Sequence, residues 1–384
     1  MKKQHFSFKI VWILSLFFLF TASASSAKSS QNSSSVEIHP HPTSGSNPSA
    51  DAPPSTMQNT AKFRPYFAIP IIYYTPETKF AAGLLQIFNL SLDAPGKVSH
   101  ITTVLSYTQM QQSNVLISPK LYYLAGQAEL QGNINYSYFP NKYYGRAELQ
   151  LSEPELYTEN SFASSISWGH RLYKDFLIRA GVGYDKKNIV SVENAPQLEN
   201  QFLNGHRIVD VFSQTLSIEW DDRDYPLAPF DGSWYKMAWT QSNVFTRTEV
   251  DLRHYQPLGP KRLLASQIYV AEVRGDKIPF QYDLSIGGPQ RLRGFYAGRF
   301  RDHSLAMIQE EYRRDINDKW SLAFFLSAAK LADKTSDLDL GPTRWTGGIG
   351  AHYIVDPLSR AKLRLDLGFS ESRPAFYFIM NEAF

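Results

Sequence analysis

The chain has 384 residues, a formal net charge of +3 and no cysteine. Charge so near balance argues against nucleic acid as the main partner, and the lack of cysteine excludes disulfides and thiolate metal sites. Aromatic residues make up 14% of the chain, a content suited to the two interfaces of a membrane, where amphipathic rings settle.

Lys2, Lys3 and Lys9 precede the apolar run Ile10–Phe20, and small residues follow, with Ala22-Ser23-Ala24 and Ser25-Ser26-Ala27 as cleavage sites. This is the pattern of a secretory signal peptide over residues 1–27, and the run is shorter than the roughly 20 apolar residues a membrane helix needs. Residues 28–63 are rich in Ser, Asn and Pro and carry almost no large apolar side chains, which predicts a disordered linker. His39 and His41 within it read as solvated rather than metal-binding. No later stretch is apolar enough for a membrane helix, so a mature chain that stays in a membrane must do so as a closed barrel.

Residues 64–384 alternate at period two between short turns of Gly, Pro, Asn and Asp. The alternation predicts strands at Pro65–Tyr74, Thr78–Leu90, Val98–Met110, Gln112–Leu124, Gly126–Phe139, Leu156–Trp168, Lys174–Asp185 and Val209–Asp221. Eight more follow at Ser233–Gln241, Arg247–Tyr255, Arg262–Arg274, Ser304–Arg313, Lys319–Lys330, Thr343–Ile354, Arg360–Phe369 and Pro374–Phe384. In Lys319–Lys330, Trp320, Leu322, Phe324 and Leu326 form one greasy face against Ser321, Ala323, Phe325 and Ser327. In Arg360–Phe369, Leu363, Leu365, Leu367 and Phe369 oppose Lys362, Arg364 and Asp366. Alternation alone fits a soluble sandwich as well as a membrane barrel. The signal peptide, strands of about 10 to 13 residues and a terminal strand ending on Phe384 favour the barrel. The expected fold class is all-β, a sixteen-stranded antiparallel transmembrane β-barrel. Its long connections, Pro140–Pro154, Lys186–Ile208, Gly275–Asp302 and Leu331–Pro342, fall on the outer side, and no soluble domain is expected.

Gly275–Asp302 is too long for an idle connection in a compact fold. It holds Gly287-Gly288-Pro289-Gln290-Arg291-Leu292-Arg293-Gly294-Phe295, which combines turn-forming glycines, large apolar side chains and arginines. Residue chemistry alone admits a mobile surface loop with solvated arginines or a loop folded back into a polar lumen. A phosphate cradle fits less well, because the spacing matches no nucleotide-binding glycine pattern and Pro289 lacks a backbone donor.

This segment, the Glu310-Glu311-Tyr312-Arg313 that follows it, the turn Asp221-Asp222-Arg223-Asp224 leading to Pro229-Phe230-Asp231-Gly232, and the strand ending in phenylalanine together resemble the BamA/TamA outer-membrane protein family, in its barrel or bacterial surface antigen domain. The resemblance implies that Leu292-Arg293-Gly294-Phe295 lies on the sixth outer loop, tucked inside the barrel. It further implies that Arg293 pairs with inner-wall acids on the next two strands. Strand parity gives Glu311 on the first. On the second, the family's aspartate and the glycine two residues beyond it are replaced by Ser327 and Ala329, which leaves Ser327 as a neutral acceptor. The family's periplasmic POTRA modules have no counterpart in residues 28–63, so the chain resembles a barrel-only member.

The turn Asp221, Arg223, Asp224 and Gly232 reads as a self-neutralising structural turn rather than a calcium site. Pro70 lies on the first strand, at the seam that must pair with the strand of Phe384, and lacks a ladder donor there. Nucleophile-elbow, metal-helix and Walker motifs are missing, and His352 reads as a hydrogen-bonded wall residue, so catalysis, cofactors and metals are not expected. What the resemblance implies is an outer-membrane factor inserting or translocating protein or lipid through a lateral seam. The implied partners are outer-membrane lipids, unfolded outer-membrane protein cargo, a separate periplasmic partner, and the barrel-assembly machinery for its own insertion. A passive pore or structural barrel is the alternative, and a surface hydrolase a more distant one.

Overall fold

In the computed structural model the alternating segments close into a barrel. The structure describes residues 65–92, 97–146, 149–202, 205–225, 228–356, 361–371, 373–380 and 382–384. The expected signal peptide (1–27) and linker (28–63) lie outside the described residues. The chain begins with β1 (Tyr66–Thr75), β2 (Lys79–Leu90), β3 (Ser99–Thr108), β4 (Ser113–Tyr123), β5 (Ala128–Arg146) and β6 (Leu149–Tyr173). Then come β7 (Phe176–Glu193), the single helical turn α1 (Pro196–Glu199), β8 (Ile208–Asp221), β9 (Gly232–Ser242), β10 (Thr246–Gly259) and β11 (Arg262–Arg274). Two short strands, β12 (Leu284–Ile286) and β13 (Phe300–Asp302), interrupt the barrel before β14 (Ser304–Asp315), β15 (Trp320–Ala332), β16 (Arg344–Asp356), β17 (Ala361–Phe369) and β18 (Ala375–Met380).

Sixteen of these strands form one closed antiparallel barrel in chain order, with β11 pairing directly to β14, while β12 and β13 make a separate ribbon. Each strand read from the sequence coincides with one barrel strand. Tyr66 begins β1 at one end of the barrel, the turn end; the long connections gather at the other, the loop end.

Burial distinguishes a membrane barrel from a sandwich. Phe324 and Leu326 on β15 are 53% and 56% exposed, while Ser321, Ala323, Phe325 and Ser327 between them are buried. On β17 the buried positions include Lys362, Arg364 and Asp366, and the exposed ones are Leu365 and Phe369. Charges inside and aliphatic side chains outside invert the order of a soluble protein and match a wall whose outer solvent is hydrocarbon. The inner wall also carries an ion-pair ladder. Arg179 joins Glu129 to Glu219 (3.2 Å), Lys120 flanks Glu129 (3.7 Å), and Glu249 takes Lys236 (3.3 Å) and Arg247 (2.6 Å).

Two expectations are corrected at the loop end. Pro140–Pro154 is not an open connection, because β5 and β6 stay paired up to Arg146 opposite Leu149. The extended hairpin is stabilised by packing, since Tyr143 and Tyr157 both meet Phe280 edge-on at 5.3 and 5.4 Å. Lys186–Ile208 likewise begins as strand, and α1 is capped from β6, where Glu155 accepts from the backbone N–H of Gln197 (3.0 Å) and Leu198 (2.6 Å).

The seam is the third correction. Among the described residues β1 and β18 share a single register pair, Tyr74 opposite Phe378, whereas β1 and β2 are paired from Tyr66 to Thr75. The terminal strand stops at Met380 and does not run to Phe384. Glu382, Ala383 and Phe384 are buried instead, with Ala383 and Phe384 packed against Tyr255, Leu263 and Ala265 of the inner wall. Strand parity supplies the reason. Phe376 faces outward, so a continued strand would also turn Glu382 toward lipid, where a carboxylate is poorly solvated. Pro70 sits on β1 four residues before Tyr74, next to Ile71, which packs in one apolar cluster with Ile379 and Met380 of β18.

The outer face sets a test. Leu326→Arg, near the middle of β15, should destabilise the barrel by about 2–4 kcal/mol, while Trp320→Arg at the strand end should cost about 0–1 kcal/mol. Reversible folding into lipid vesicles against denaturant measures both, and equal costs would show that the exposed belt does not face hydrocarbon.

Candidate functional site

The connection from Gly275 to His303 descends into the barrel and is built as a folded object. β12 and β13 pair from Leu284–Asp302 to Ile286–Phe300, and Tyr282, Leu284, Ile286, Leu292, Phe295 and Phe300 enter one apolar cluster with wall residues such as Tyr269, Leu305 and Met307. Its tip is a tight double turn in which Gly287 N–H donates to Arg291 O and Gly288 N–H to Phe295 O, both at 2.9 Å. Gly287 has φ of 106°, and a Cβ there would overlap the backbone of Tyr296, so glycine is required on both counts.

At the centre of the lumen Arg293 is fully buried. One guanidinium nitrogen donates to Glu311 on β14, the other to Asp366 on β17 at 2.7 Å, and the group lies over the Phe325 ring at 3.5 Å. Neutralising a buried cation with two carboxylates and a ring face is what makes its burial tolerable. The acceptors are fixed in turn. Arg313 donates to Glu311 (2.7 Å), Arg364 stands 3.1 Å from Asp366 and donates to Pro289 O, and Lys362 and Arg313 flank Glu382 at 2.8 and 3.5 Å. His352 lies between Asp366 (3.4 Å) and Glu382 (3.5 Å) on the inner wall. Glu311, His352 and Glu382 approach one another as metal ligands do. Each carboxylate, however, already faces a guanidinium or ammonium, so a dication would enter against Arg293, Arg313 and Lys362.

Backbone contacts complete the seat. Gln309 accepts from Leu292 N–H (3.0 Å) and donates to Gln290 O (2.9 Å). Gly294 N–H donates to the Tyr377 hydroxyl on β18 (3.0 Å), and Ala297 N–H to Glu77 in the β1–β2 turn (2.6 Å). On the far side Arg146 holds Asp283 through two nitrogens at 2.9 and 2.6 Å.

The structure thus brings together Leu292, Arg293, Gly294, Phe295 and Glu311, but Ser327 stands apart. Its hydroxyl donates to Gln309 at 3.2 Å and makes no bond to Arg293. The second acidic partner is Asp366, which alternation sets opposite Leu363, Leu365 and Leu367 without linking it to the loop. The aspartate-x-glycine pattern missing from β15 recurs as Asp366-Leu367-Gly368 on β17. Gly368 is there for a physical reason, since a Cβ would sit 2.7 Å from Arg293 C and O. Pro70 and Phe384 fall at the seam and in the lumen, away from Arg293. The turn-end residues form a separate unit, in which Arg223 grips Asp221 through two nitrogens at 2.7 and 2.8 Å. Asp224 accepts the N–H groups of Tyr225, Phe230 and Asp231. Gly232, with φ of 103°, leaves room for Asp222 O, 2.6 Å from where a Cβ would stand.

A sixteen-stranded barrel holding its own long loop by a buried arginine has a match among known families, the Omp85 superfamily domain, over residues 96–384. The chain belongs to the Omp85 superfamily. Among solved structures this Omp85 chain is similar to BamA from Haemophilus ducreyi lacking POTRA domains 1-3, at 16% identity and TM-score 0.61, over 83% of this chain and 70% of that one. It is also similar to CdiB from Acinetobacter baumannii (12% identity, TM-score 0.56, 82% of this chain and 59% of that one). CdiB from Escherichia coli matches at 12% identity and TM-score 0.57, over 83% of this chain and 63% of that one. At these identities the likeness is one of fold, and the Omp85 chain spans less than two thirds of either CdiB. No curated protein matches it.

The loop anchor makes its own prediction. Arg293→Ala, Glu311→Gln and Asp366→Asn should each expose Gly275–Asp302 to added protease, because removing one member of a buried ion pair costs on the order of 3–5 kcal/mol. Glu311→Gln added to Arg293→Ala should cost little more than Arg293→Ala alone, since both remove one interaction. Gly368→Ala should loosen the loop by about 1–3 kcal/mol through overpacking. Undiminished protection in Arg293→Ala would refute the anchor.

Proposed function

We propose that this Omp85 barrel is a non-enzymatic outer-membrane factor that inserts or translocates polypeptide or lipid through the β1–β18 seam. The observation that carries the reading is the seam itself. A barrel is stable because it leaves no strand edge unpaired, yet among the described residues the register of β1 with β18 is the one pair Tyr74 opposite Phe378, against ten pairs between β1 and β2. An exposed edge is a template for an incoming extended segment, which would gain backbone hydrogen bonds at once. The family and the fold likeness to BamA and CdiB support the same reading.

On this reading the partners are outer-membrane lipids around the apolar belt, unfolded outer-membrane protein or lipid as cargo at the seam, a separate periplasmic protein that presents the cargo, and the barrel-assembly machinery that inserts the chain itself. Residues 1–27 direct export. The alternative, a passive pore or structural barrel, draws on the polar ion-pair ladder of the inner wall, which would suit a water-filled passage.

A disulfide separates the two. The chain has no cysteine, so Tyr74→Cys with Phe378→Cys places one pair across the seam without competitors. In cells whose only copy is this variant, oxidation should reproduce the outer-membrane protein and lipid composition of a deletion strain, and reductant should restore it. If the oxidised variant keeps the parental composition, the seam does not open in function and the passive reading stands.

A further inference from the structure

Away from the Arg293 seat, the loop end gathers three side chains of metal-binding type. Asp302 ends β13, His303 joins β13 to β14, and Asp333 follows β15. One ligand atom from each lies within 4.8 Å of the other two. The backbone fixes the first two, since β13 is paired to β12 and His303 O accepts from Val273 N–H on β11 (2.8 Å). Asp302 sets the electrostatic requirement. It is 3% exposed, and its carboxylate takes one hydrogen bond, from the backbone N–H of His303 (2.8 Å). Among the described residues it pairs with no lysine or arginine, whereas the neighbouring buried Asp283 has Arg146 on both of its oxygens. Burying a carboxylate without a counter-charge is strongly unfavourable, and a cation beside it removes that cost.

His303 is oriented as a ligand. Its Nδ1 stands 2.6 Å from Asp333 Oδ1, and its Nε2, buried and without a hydrogen-bond partner, faces Asp283 Oδ1 at 3.7 Å. A ligating histidine commonly turns its other ring N–H to a carboxylate, which fixes the tautomer. Asp283 is placed to do this for Nε2, which leaves Nδ1 to bind. Tetrahedral coordination at about 2.0 Å sets neighbouring ligand atoms roughly 3.3 Å apart, so Asp333 would draw back slightly from Nδ1. Its side chain is 61% exposed and has room to do so.

We propose that Asp302, His303 and Asp333 form a binding site for a divalent transition-metal ion of the zinc class at the loop end of the barrel. One imidazole and two carboxylates suit zinc, with water in the fourth position, better than magnesium or calcium, which favour all-oxygen shells. The bound ion ties the return limb of the luminal loop to the connection after β15. The site is separate from the seam and from the Arg293 anchor, and it holds whether or not cargo passes the barrel.

Zinc chloride titrated by calorimetry into the folded, chelator-stripped full chain tests the site. The parent should bind zinc, and His303→Ala, Asp333→Asn and Asp302→Asn should each weaken that binding about tenfold or more, since even an outer-shell partner is worth roughly 10–100-fold. Zinc held by His39 or His41 is common to all these proteins and cancels in the comparison. Asp333 is exposed, so lost binding in Asp333→Asn is not a folding defect; heat-dependent gel mobility checks the fold of Asp302→Asn. Zinc should also slow tryptic cleavage after Lys334 in the parent but not in His303→Ala, and calcium chloride should slow it in neither. No zinc bound by the parent, zinc bound equally by the parent, His303→Ala and Asp333→Asn, or cleavage slowed as well by calcium would overturn the site and leave His303 and Asp333 as an ion pair only.

Discussion

A guanidinium with no access to bulk water must find its counter-charges within the protein, and in this barrel Arg293 finds them on two strands that are not neighbours. Glu311 comes from β14 and Asp366 from β17, so the loop that carries Arg293 reaches down between them and is fixed in depth and rotation at once. The surrounding details follow from that seat. Gly368 is bare so that the backbone of Arg293 can approach the wall, Gly294 adopts a φ of 124° against Phe369, and Phe325 offers its ring face to the cation. Apolar groups in place of the ion pairs would pack without the desolvation cost of buried charge, but would lose the single register that paired charges impose.

The loop in turn decides the character of the lumen. On one side it fills the space with the cluster around Phe295 and Phe300; on the other, Arg179, Glu129, Glu219 and their neighbours line the wall with charge. Because the same loop touches Tyr377 and Glu77, the plug and the seam are mechanically one object at the loop end. Closure of a β-barrel is normally uniform, every strand saturating its neighbour. Here it is uneven: among the described residues the wall strands are paired along their length, while the seam rests on Tyr74 opposite Phe378, the apolar cluster of Ile71, Tyr73, Ile379 and Met380, and the clasp of the loop.

Much of this was legible from the chain alone. Period-two alternation marks sixteen strands and, through parity, which side chains share a face, so that Lys362, Arg364 and Asp366 stand together against Leu363, Leu365 and Leu367. Parity is local, since neighbouring side chains must point to opposite faces whatever the rest of the fold does. It also carries a stop signal, since Glu382 shares the parity of Phe376, Phe378, Met380 and Phe384, and a carboxylate among them marks where the strand must end.

Tertiary structure alone decided which inward residues meet across the lumen. Arg293 and Asp366 are 73 positions apart, and their contact depends on how far the loop descends and how the barrel curves, neither of which alternation encodes. For the same reason Ser327, aligned by motif position, proved to serve Gln309, while an aspartate and glycine two strands further round took up the loop. A sequence pattern states which way a side chain faces; the distance between two facing walls is set only when all sixteen strands have closed.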